Sequence, residues 1–163
     1  MKCFNILVCC LGCLLVKEIL CDTPCPDGWV PFQGACFLFG TDQRLRYNEA
    51  QHFCTQHGGN LARVRDQHDS NFLHHWLTHL KPYPWWIGLN DQEIENEYKW
   101  IDTHTAPEYT NWLPGRPSST NVTYNQDCIT VQPNAFQWMD TDCVAPFQPI
   151  CQIIVSNGVS AVG

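Results

Sequence analysis

The sequence predicts a single α+β domain built from two helices, several short strands and one long irregular loop. Two segments carry apolar residues at helical spacing, and the other apolar segments are short and strand-like. Residues 103–126 are rich in Pro, Gly, Asn, Ser and Thr, and so long a loop inside a compact domain is usually functional. Six cysteines spread through the chain after its N-terminal region indicate a disulfide framework formed in an oxidising compartment.

The N-terminal residues have the pattern of a secretory signal peptide, which we predict over residues 1–21. Lys2 precedes a 13-residue apolar run at residues 4–16, and a short region ending at Cys21 follows. As a helix this run would span only about 20 Å, whereas the hydrocarbon core of a bilayer is roughly 30 Å thick. We therefore expect cleavage and secretion rather than a membrane anchor.

The predicted mature chain, residues 22–163, is acidic, with seven basic and fifteen acidic residues and a net charge of −8. Binding to nucleic acid or to an anionic membrane requires a basic surface, so the charge disfavours both. No second apolar segment is long enough to cross a membrane. The composition predicts a free extracellular protein with no nucleic-acid partner and no membrane insertion.

The first elements are a hairpin and a helix. Residues 29–32 and 35–39 form two apolar runs joined by Gln33 and Gly34, which is typical of a β-hairpin. Helical spacing then relates Tyr47, Ala50, Phe53 and Cys54. Residues 58–59 are both glycine and predict the end of this helix, whereas its start is poorly marked by the residue at position 46.

The second helix has clearer boundaries. Asp66 is suited to cap its N-terminus, and Asp69 lies in its first turn. Pro82 and Pro84 are expected to end it. One apolar stripe follows the helix, and it consists of Phe72, Leu73, Trp76, Leu77 and Leu80. Strands are predicted afterwards at residues 85–89, 98–101, 128–132, 136–139 and 149–154.

Taken together, these segments resemble the long form of the C-type lectin-like domain over about residues 25–152. The motifs that carry the resemblance are CPDGW at 25–29, the run from Glu49 to Ala62 with Cys54 and two glycines, WIGL at 86–89, NWLPG at 111–115, DC at 127–128, WMD at 138–140 and IC at 150–151. Each motif is weak alone, but their order and spacing are specific to the family. The resemblance implies two helices packed on twisted antiparallel sheets, with a long irregular loop.

The same resemblance implies three disulfides and the domain boundaries. The pairs are Cys25–Cys36, Cys54–Cys151 and Cys128–Cys143. The domain is predicted at residues 22–152, with a short C-terminal tail at 153–163. Cys21 leaves two alternatives open, because cleavage before it retains a thiol able to link two chains, whereas cleavage after it leaves a balanced set. The protein is accordingly expected to be a monomer, or a disulfide-linked dimer if Cys21 is retained.

Sugar-binding members of the family hold a calcium ion in the long loop, and the resemblance implies that this principal calcium site is lost here. The triplet that is Glu-Pro-Asn or Gln-Pro-Asp in those members reads Arg116-Pro117-Ser118. Gln126 replaces a glutamate, and Met139 replaces the asparagine of a Trp-Asn-Asp triplet. A guanidinium about 4 Å from a divalent ion would cost on the order of 8 kcal/mol at an effective dielectric near 20.

We hypothesise that Arg116 occupies the vacant position as a built-in cation, pairing with Asp140 and with Gln126. The alternative is that Arg116 simply points into water. A ligand would then be bound by the residues at the positions of the lost site, which are Arg116, Ser118, Gln126, Met139 and Asp140. No cofactor is required in this interpretation.

An auxiliary calcium site of the family is better preserved. Asp91, Glu95 and Asp127 stand where its acidic ligands are expected, although Ser119 replaces a further acid. One hypothesis is that these three carboxylates bind calcium weakly. The alternative is that the acidic side chains in this region are solvated and bind no ion.

The remaining motifs are a glycosylation sequon, a pair of histidines and three aromatic residues. Asn121 begins the N-glycosylation sequon of the long loop, so we expect a glycoprotein. His75 and His79 have metal-compatible spacing, but no third ligand is evident, and a polar helix face is favoured. Three aromatic residues flank the loop and are suited to stack on a sugar or to anchor a protein, and they are Tyr109, Trp112 and Tyr124. For Trp112, however, we favour a place in the core.

No catalytic constellation is evident, so the sequence predicts a binding protein and not an enzyme. Two functional classes remain open. The first, which we favour, is a lectin that recognises glycans without the principal calcium ion, and the resemblance and the aromatic residues beside the loop support it. The second is a calcium-independent module that binds an extracellular protein in defence, adhesion or a secreted fluid, and the loss of the calcium ligands favours it.

Overall fold

The computed structural model describes residues 25–118 and 126–155, together with the backbone of two strands nearer the N-terminus. These are β1 (Phe4–Ile6) and β2 (Glu18–Leu20), which pair antiparallel with each other. The remainder of the predicted signal peptide, Cys21, Asn121, Tyr124 and most of the predicted tail lie outside the described residues. Neither helix of the described part is long and apolar enough to cross a membrane.

The predicted hairpin is present as β3 (Val30–Phe32) and β4 (Ala35–Phe39), paired antiparallel. Gln33 and Gly34 connect the strands with φ angles of 43° and 70°. Positive φ at both central residues is the conformation of a type I′ turn, which is one of the favoured two-residue hairpin turns. The disulfide Cys25–Cys36 joins the start of this segment to β4, and it confirms the first predicted pair.

The first helix, α1 (Tyr47–Gln56), covers the predicted segment. At its start the Glu49 carboxylate accepts a hydrogen bond of 3.0 Å from the backbone N–H of Arg46, so the start depends on a residue inside the helix. At its end Gly58 has a φ of 82°, and the Gly59 N–H donates to the Cys54 carbonyl at 2.9 Å. The two glycines thus close the helix as the sequence predicts.

The second helix, α2 (Gln67–Leu77), begins as expected but ends earlier. The Asp66 carboxylate accepts hydrogen bonds from the backbone N–H groups of His68 at 2.8 Å and Asp69 at 2.9 Å. Leu77 is the last helical residue, so Pro82 and Pro84 do not end the helix directly, and Leu80 packs on the core from the following turn. The prolines only prevent the chain from continuing the helix.

Replacing Asp66 with alanine is expected to lower the free energy of unfolding by about 1 kcal/mol, because two backbone N–H groups lose their acceptor. Those hydrogen bonds hold the pKa of Asp66 below its ordinary value. Its contribution to stability is therefore complete above the unfolded-state pKa and is lost as the pH falls through the lowered folded-state pKa. Urea denaturation at pH 7 and near pH 3 checks both points, with Asp66→Asn as the uncharged control that keeps an acceptor. A loss of less than about 0.3 kcal/mol in Asp66→Ala would contradict this assignment of the cap.

The strands that follow α1 form one sheet with the hairpin. They are β5 (Asn60–Leu61), β6 (Trp85–Asn90), β7 (Lys99–Trp100), β8 (Cys128–Val131), β9 (Trp138–Thr141) and β10 (Gln148–Ile154). The main order is β3-β4-β10-β6-β8-β9, with β5 on β10 and β7 on β6. The sheet is mixed rather than antiparallel throughout, because β10 and β6 run parallel.

The strand boundaries differ from the prediction by one residue at one end of β6, β8 and β10, and at both ends of two other strands. The strand predicted at 98–101 contains only Lys99 and Trp100. The strand predicted at 136–139 begins at Trp138, because Phe136 has a φ of 53° and its N–H donates to the Gln132 carbonyl in a turn. Aromatic residues are enriched in strands, so the sequence favours a strand at Phe136. The local hydrogen bond places this residue in a turn instead.

Strand β6 lies between two apolar clusters, which explains its continuous apolar sequence. Trp85 packs in one cluster with Leu73 of α2, and Trp86 packs in the other with Tyr47 of α1. Successive side chains of a strand point to opposite faces, so adjacent tryptophans serve different cores. Glycine is required at position 88, further along β6, because a Cβ atom there would lie 2.6 Å from the Leu61 carbonyl oxygen.

The other two disulfides are also confirmed. Cys54–Cys151 joins α1 to β10, and Cys128–Cys143 joins β8 to the segment before β10, with Cα–Cα distances of 5.2 Å in both. All four sulfur-bearing residues belong to the cluster that α1 covers. The disulfides therefore fix the sheet next to the base of the long loop.

Candidate functional site

Backbone hydrogen bonds connect strand β9 to the long loop. The Trp138 N–H donates to the Asn111 carbonyl at 2.7 Å, and the Leu113 N–H donates to the Trp138 carbonyl at 2.9 Å. A turn then follows, in which the Arg116 N–H donates to the Leu113 carbonyl at 2.9 Å and Gly115 has a φ of 79°. Proline at the second position and glycine at the third are typical of a type II turn. This turn directs Arg116 back over β9.

The Arg116 guanidinium lies against the Asp140 carboxylate. Its Nη1 donates to Asp140 Oδ1 at 3.0 Å, to Ser118 Oγ at 2.7 Å and to Gln126 Oε1 at 3.2 Å. The backbone N–H of Ser118 donates to Asp140 Oδ2 at 2.9 Å, and the Ser118 hydroxyl contacts both Asp140 and Gln126. We call these four residues, Arg116, Ser118, Gln126 and Asp140, the arginine cluster.

The burial of Asp140 makes its ion pair with Arg116 important for the stability of the arginine cluster. The Asp140 side chain is 2% exposed, whereas that of Arg116 is 31% exposed. A buried carboxylate needs a cation and hydrogen bonds to remain stable away from water, and this one has both. The hypothesis that Arg116 pairs with Asp140 and reaches Gln126 therefore agrees with the structure, and the alternative of a solvated Arg116 does not.

The arginine cluster does not fit a calcium ion. Calcium takes six to eight oxygen ligands, several of them carboxylates, and here a single carboxylate is already bonded to a guanidinium. Nη1 stands among the oxygens of Ser118, Gln126 and Asp140. Because the cation is part of the chain, these oxygens are satisfied by the protein itself.

Met139 is the one predicted ligand-binding residue that the described contacts do not bring into the arginine cluster. It is partly exposed, whereas its neighbours Trp138 and Asp140 are buried. Its thioether makes no hydrogen bond to the described residues, and its backbone carbonyl accepts from Thr130 at 3.3 Å. A role for Met139 in ligand binding stays a prediction.

The predicted auxiliary calcium site is only partly assembled. The Asp91 N–H donates to the Asp127 carbonyl at 3.0 Å, so these two residues are neighbours, and Glu95 is exposed. The described residues contain no group of three or more His, Cys, Asp or Glu side chains placed to hold a metal ion. They do not form a complete metal site, and weak calcium binding stays a prediction.

Asp91 is nevertheless in an unusual environment. Burial raises its pKa to about 6, and the nearby charges of Glu95 and Asp127 act in the same direction, while a hydrogen bond from the Asn96 N–H opposes them. Burial also raises the pKa of Asp127, as does the charge of Asp142. Asp91 Oδ1 is buried without a hydrogen-bond partner among the described residues. Its other oxygen holds the Asn96 N–H at 2.9 Å and so shapes the turn before β7.

The aromatic residues near the loop surround a buried tryptophan. The rings of Trp100, Tyr109 and Trp112 each meet Trp138 edge to face, with centroids 5.6–5.8 Å apart. Trp112 and Tyr109 are both only partly buried. Their role as ligand-stacking residues stays a prediction, and Tyr124 lies outside the described residues.

Sequence reasoning missed two features of this region. Tyr98 was assigned only to a strand, yet its ring packs on Trp112 with centroids 5.1 Å apart. Arg65 and the fully buried Asp69 form a two-point ion pair, with Nε–Oδ2 at 2.7 Å and Nη2–Oδ1 at 2.8 Å. The spacing of four residues is the only sequence signal for that pair, and it is common on exposed helices.

Comparison with known proteins identifies the family. The family model described as the Lectin C-type domain matches residues 43–153. A low affinity immunoglobulin epsilon Fc receptor of Mus musculus is 30% identical over 149 residues, which cover 91% of this chain and 42% of the receptor. The chain spans about a third to two fifths of the length of the first curated relatives that it matches.

Two solved structures share the fold closely. The carbohydrate-recognition domain of the human scavenger receptor C-type lectin has a TM-score of 0.73 at 28% identity, covering 80% of this chain and 99% of that one. The cow carbohydrate-recognition domain of CD23, solved in the presence of a GlcNAc2Man3 oligosaccharide, has a TM-score of 0.71 at 26% identity, covering 80% and 96%. Members of this family are typically non-enzymatic binding proteins, and C-type lectin domains bind glycans. The chain belongs to the C-type lectin domain family.

Proposed function

We propose that this protein is a secreted, non-enzymatic recognition protein that binds carbohydrate without the principal calcium ion. Family membership supports glycans as the ligand class. The observation that carries the calcium independence is the position of Arg116, whose Nη1 lies 3.0 Å from the buried carboxylate of Asp140. The cation that orders this part of the loop is thus supplied by the chain.

The arginine cluster retains the chemistry to hydrogen-bond a sugar. All the side-chain hydrogen bonds that Arg116 makes to the described residues come from Nη1, so Nε and Nη2 are not engaged by that part of the chain. The side chain is 31% exposed, which leaves these donors within reach of a ligand. Sugar hydroxyls accept such bonds readily, and a rigid donor avoids the entropy cost of ordering a flexible side chain.

The second candidate is a calcium-independent module that binds an extracellular protein. The same contacts favour it, because the Gln126 and Ser118 oxygens are already engaged by Arg116 and are less available to sugar hydroxyls. A partly exposed arginine is also a common anchor of protein interfaces. The two candidates differ in the ligand and agree on the absence of catalysis.

A glycan array probed with residues 22–163, once in calcium and once in chelator, tests the proposal. We expect the same glycans to bind in both buffers, since no calcium ion takes part. Binding that disappears in chelator would contradict the calcium independence. A blank array in both buffers would contradict carbohydrate recognition and favour the protein-binding candidate.

A further inference from the structure

A cavity of about 460 Å³ lies beside the loop, between the turn before β7 and the segment that leads to Trp112. Its lining includes Tyr98, Trp112, Ala106 and Thr110. The volume is in the range of small-molecule sites, which are concave and mostly apolar with a few polar groups at the rim. No residue of the arginine cluster lines this cavity.

Both walls of the cavity are held in place by the core. On one side, the Asn96 N–H is bound by the buried Asp91 carboxylate at 2.9 Å. On the other, the Trp112 carbonyl accepts from the Gln137 side chain at 3.1 Å, and the Trp112 ring packs on Trp138. A ligand entering this cavity finds the aromatic groups already oriented, which lowers the entropy cost of binding.

The arrangement of groups matches one face of a sugar ring. The Tyr98 and Trp112 rings meet at 61° and offer two aromatic surfaces for the C–H groups of a pyranose. Asn96 and Lys99 line the same cavity and supply an amide and an ammonium to bond hydroxyls. A lining that combines aromatic rings with hydrogen-bonding groups suits a ligand with one apolar face and several hydroxyls.

The charges at the cavity favour a neutral sugar. Lys99 is the one cation among its lining residues, and it lies 3.4 Å from the carboxylate of Glu93. Glu97 adds a negative charge at the lining, and the whole chain carries a formal charge of −7. A sulfated or highly sialylated glycan would meet repulsion here rather than a basic surface.

We propose that this cavity is a saccharide subsite that takes a neutral pyranose, with Tyr98 and Trp112 as its stacking platform. The inference rests on the proposed carbohydrate recognition and assigns it a surface other than the arginine cluster. The sugar binds here by stacking and hydrogen bonding and needs no metal ion.

Two variants test the proposal, and the first of them fills the cavity without removing a residue that packs on the core. Thr110 is exposed and lines this cavity, so Thr110→Trp is expected to block it and to weaken binding of a glycan identified on the array by about tenfold or more. Tyr98→Leu keeps an apolar side chain but removes the ring, and about a fivefold loss is expected. The matched control is Val144→Trp, because Val144 is 60% exposed and does not line the cavity.

Calorimetry with that glycan, and with the methyl glycosides of mannose, galactose and N-acetylglucosamine, distinguishes the outcomes. Weakening by Thr110→Trp and Tyr98→Leu but not by Val144→Trp supports the subsite. Native affinity in both cavity variants overturns the subsite and leaves carbohydrate recognition standing. If the native protein binds neither an array glycan nor any of the three glycosides, both proposals fail together.

Discussion

Replacing Arg116 with methionine is expected to lower the free energy of unfolding by about 2–3 kcal/mol, because a buried carboxylate loses its charged partner. Asp140 is 2% exposed and, among the described residues, would keep only the hydrogen bonds that Ser118 donates to it. Those bonds, and the partial exposure of Arg116, keep the loss below that of a fully buried pair. Methionine retains much of the aliphatic length, so the comparison isolates the guanidinium.

Urea denaturation of Arg116→Met measures this loss, and Lys81→Met is the matched control. Lys81 lies 3.6 Å from Asp42, but both side chains are largely exposed, so its removal is expected to cost less than about 1 kcal/mol. The double variant Arg116→Met/Asp140→Leu should recover part of the stability, because it removes the uncompensated charge. If Arg116→Met is as stable as Lys81→Met, the ion pair does not stabilise the loop.

Removing the disulfide Cys54–Cys151 is expected to lower the free energy of unfolding by about 4 kcal/mol or more. The disulfide closes 97 residues, and a cross-link of that length strongly restricts the unfolded chain. Both half-cystines are fully buried, and the bond connects α1 to the central strand β10. Thermal and urea unfolding of Cys54→Ala/Cys151→Ala measure the loss.

The variant Cys128→Ala/Cys143→Ala is the matched control. Its disulfide closes only 15 residues, so the loss is expected to be about 3 kcal/mol in the same description. The expected ranking follows from loop length alone, because the two bonds have the same Cα–Cα distance of 5.2 Å. If removal of the short disulfide lowers the free energy of unfolding more than removal of the long one, the loop-length explanation is wrong. Local strain or packing in the folded state, rather than restriction of the unfolded chain, would then determine what each disulfide contributes.

The helices and their boundaries were largely predictable because their signals are local. Asp66 accepts from the two N–H groups that a cap should bind, and Gly58 adopts the positive φ that ends α1. The parallel pairing of β10 with β6 was not predictable, since it joins strands that are distant in sequence. The early end of α2 shows that an apolar residue such as Leu80 can extend a helical pattern beyond the helix itself.

The candidate site was predictable where residue chemistry constrains it strongly. Replacing an oxygen ligand by Arg116 beside a retained Asp140 leaves few arrangements that satisfy both charges, and the ion pair was anticipated for that reason. Met139 was assigned to the site by its position in a motif, but the contacts of Ser118 and Gln126 form the cluster without it. The cavity around Tyr98 depends on the approach of two loops, for which the sequence contains no local signal.

The measurement that tests the central claim most directly is calorimetric titration of calcium into the native protein and into a variant with the family's calcium ligands restored. That variant is Arg116→Glu/Ser118→Asn/Gln126→Glu/Met139→Asn. We expect calcium, up to the roughly 10⁻³ M at which extracellular modules bind it, to give the native protein only heat that Asp91→Asn abolishes. The restored variant is expected to gain a calcium site. Calcium binding by the native protein that survives Asp91→Asn but is lost in Asp140→Asn would contradict the account, because the ion would then occupy the position assigned to Arg116.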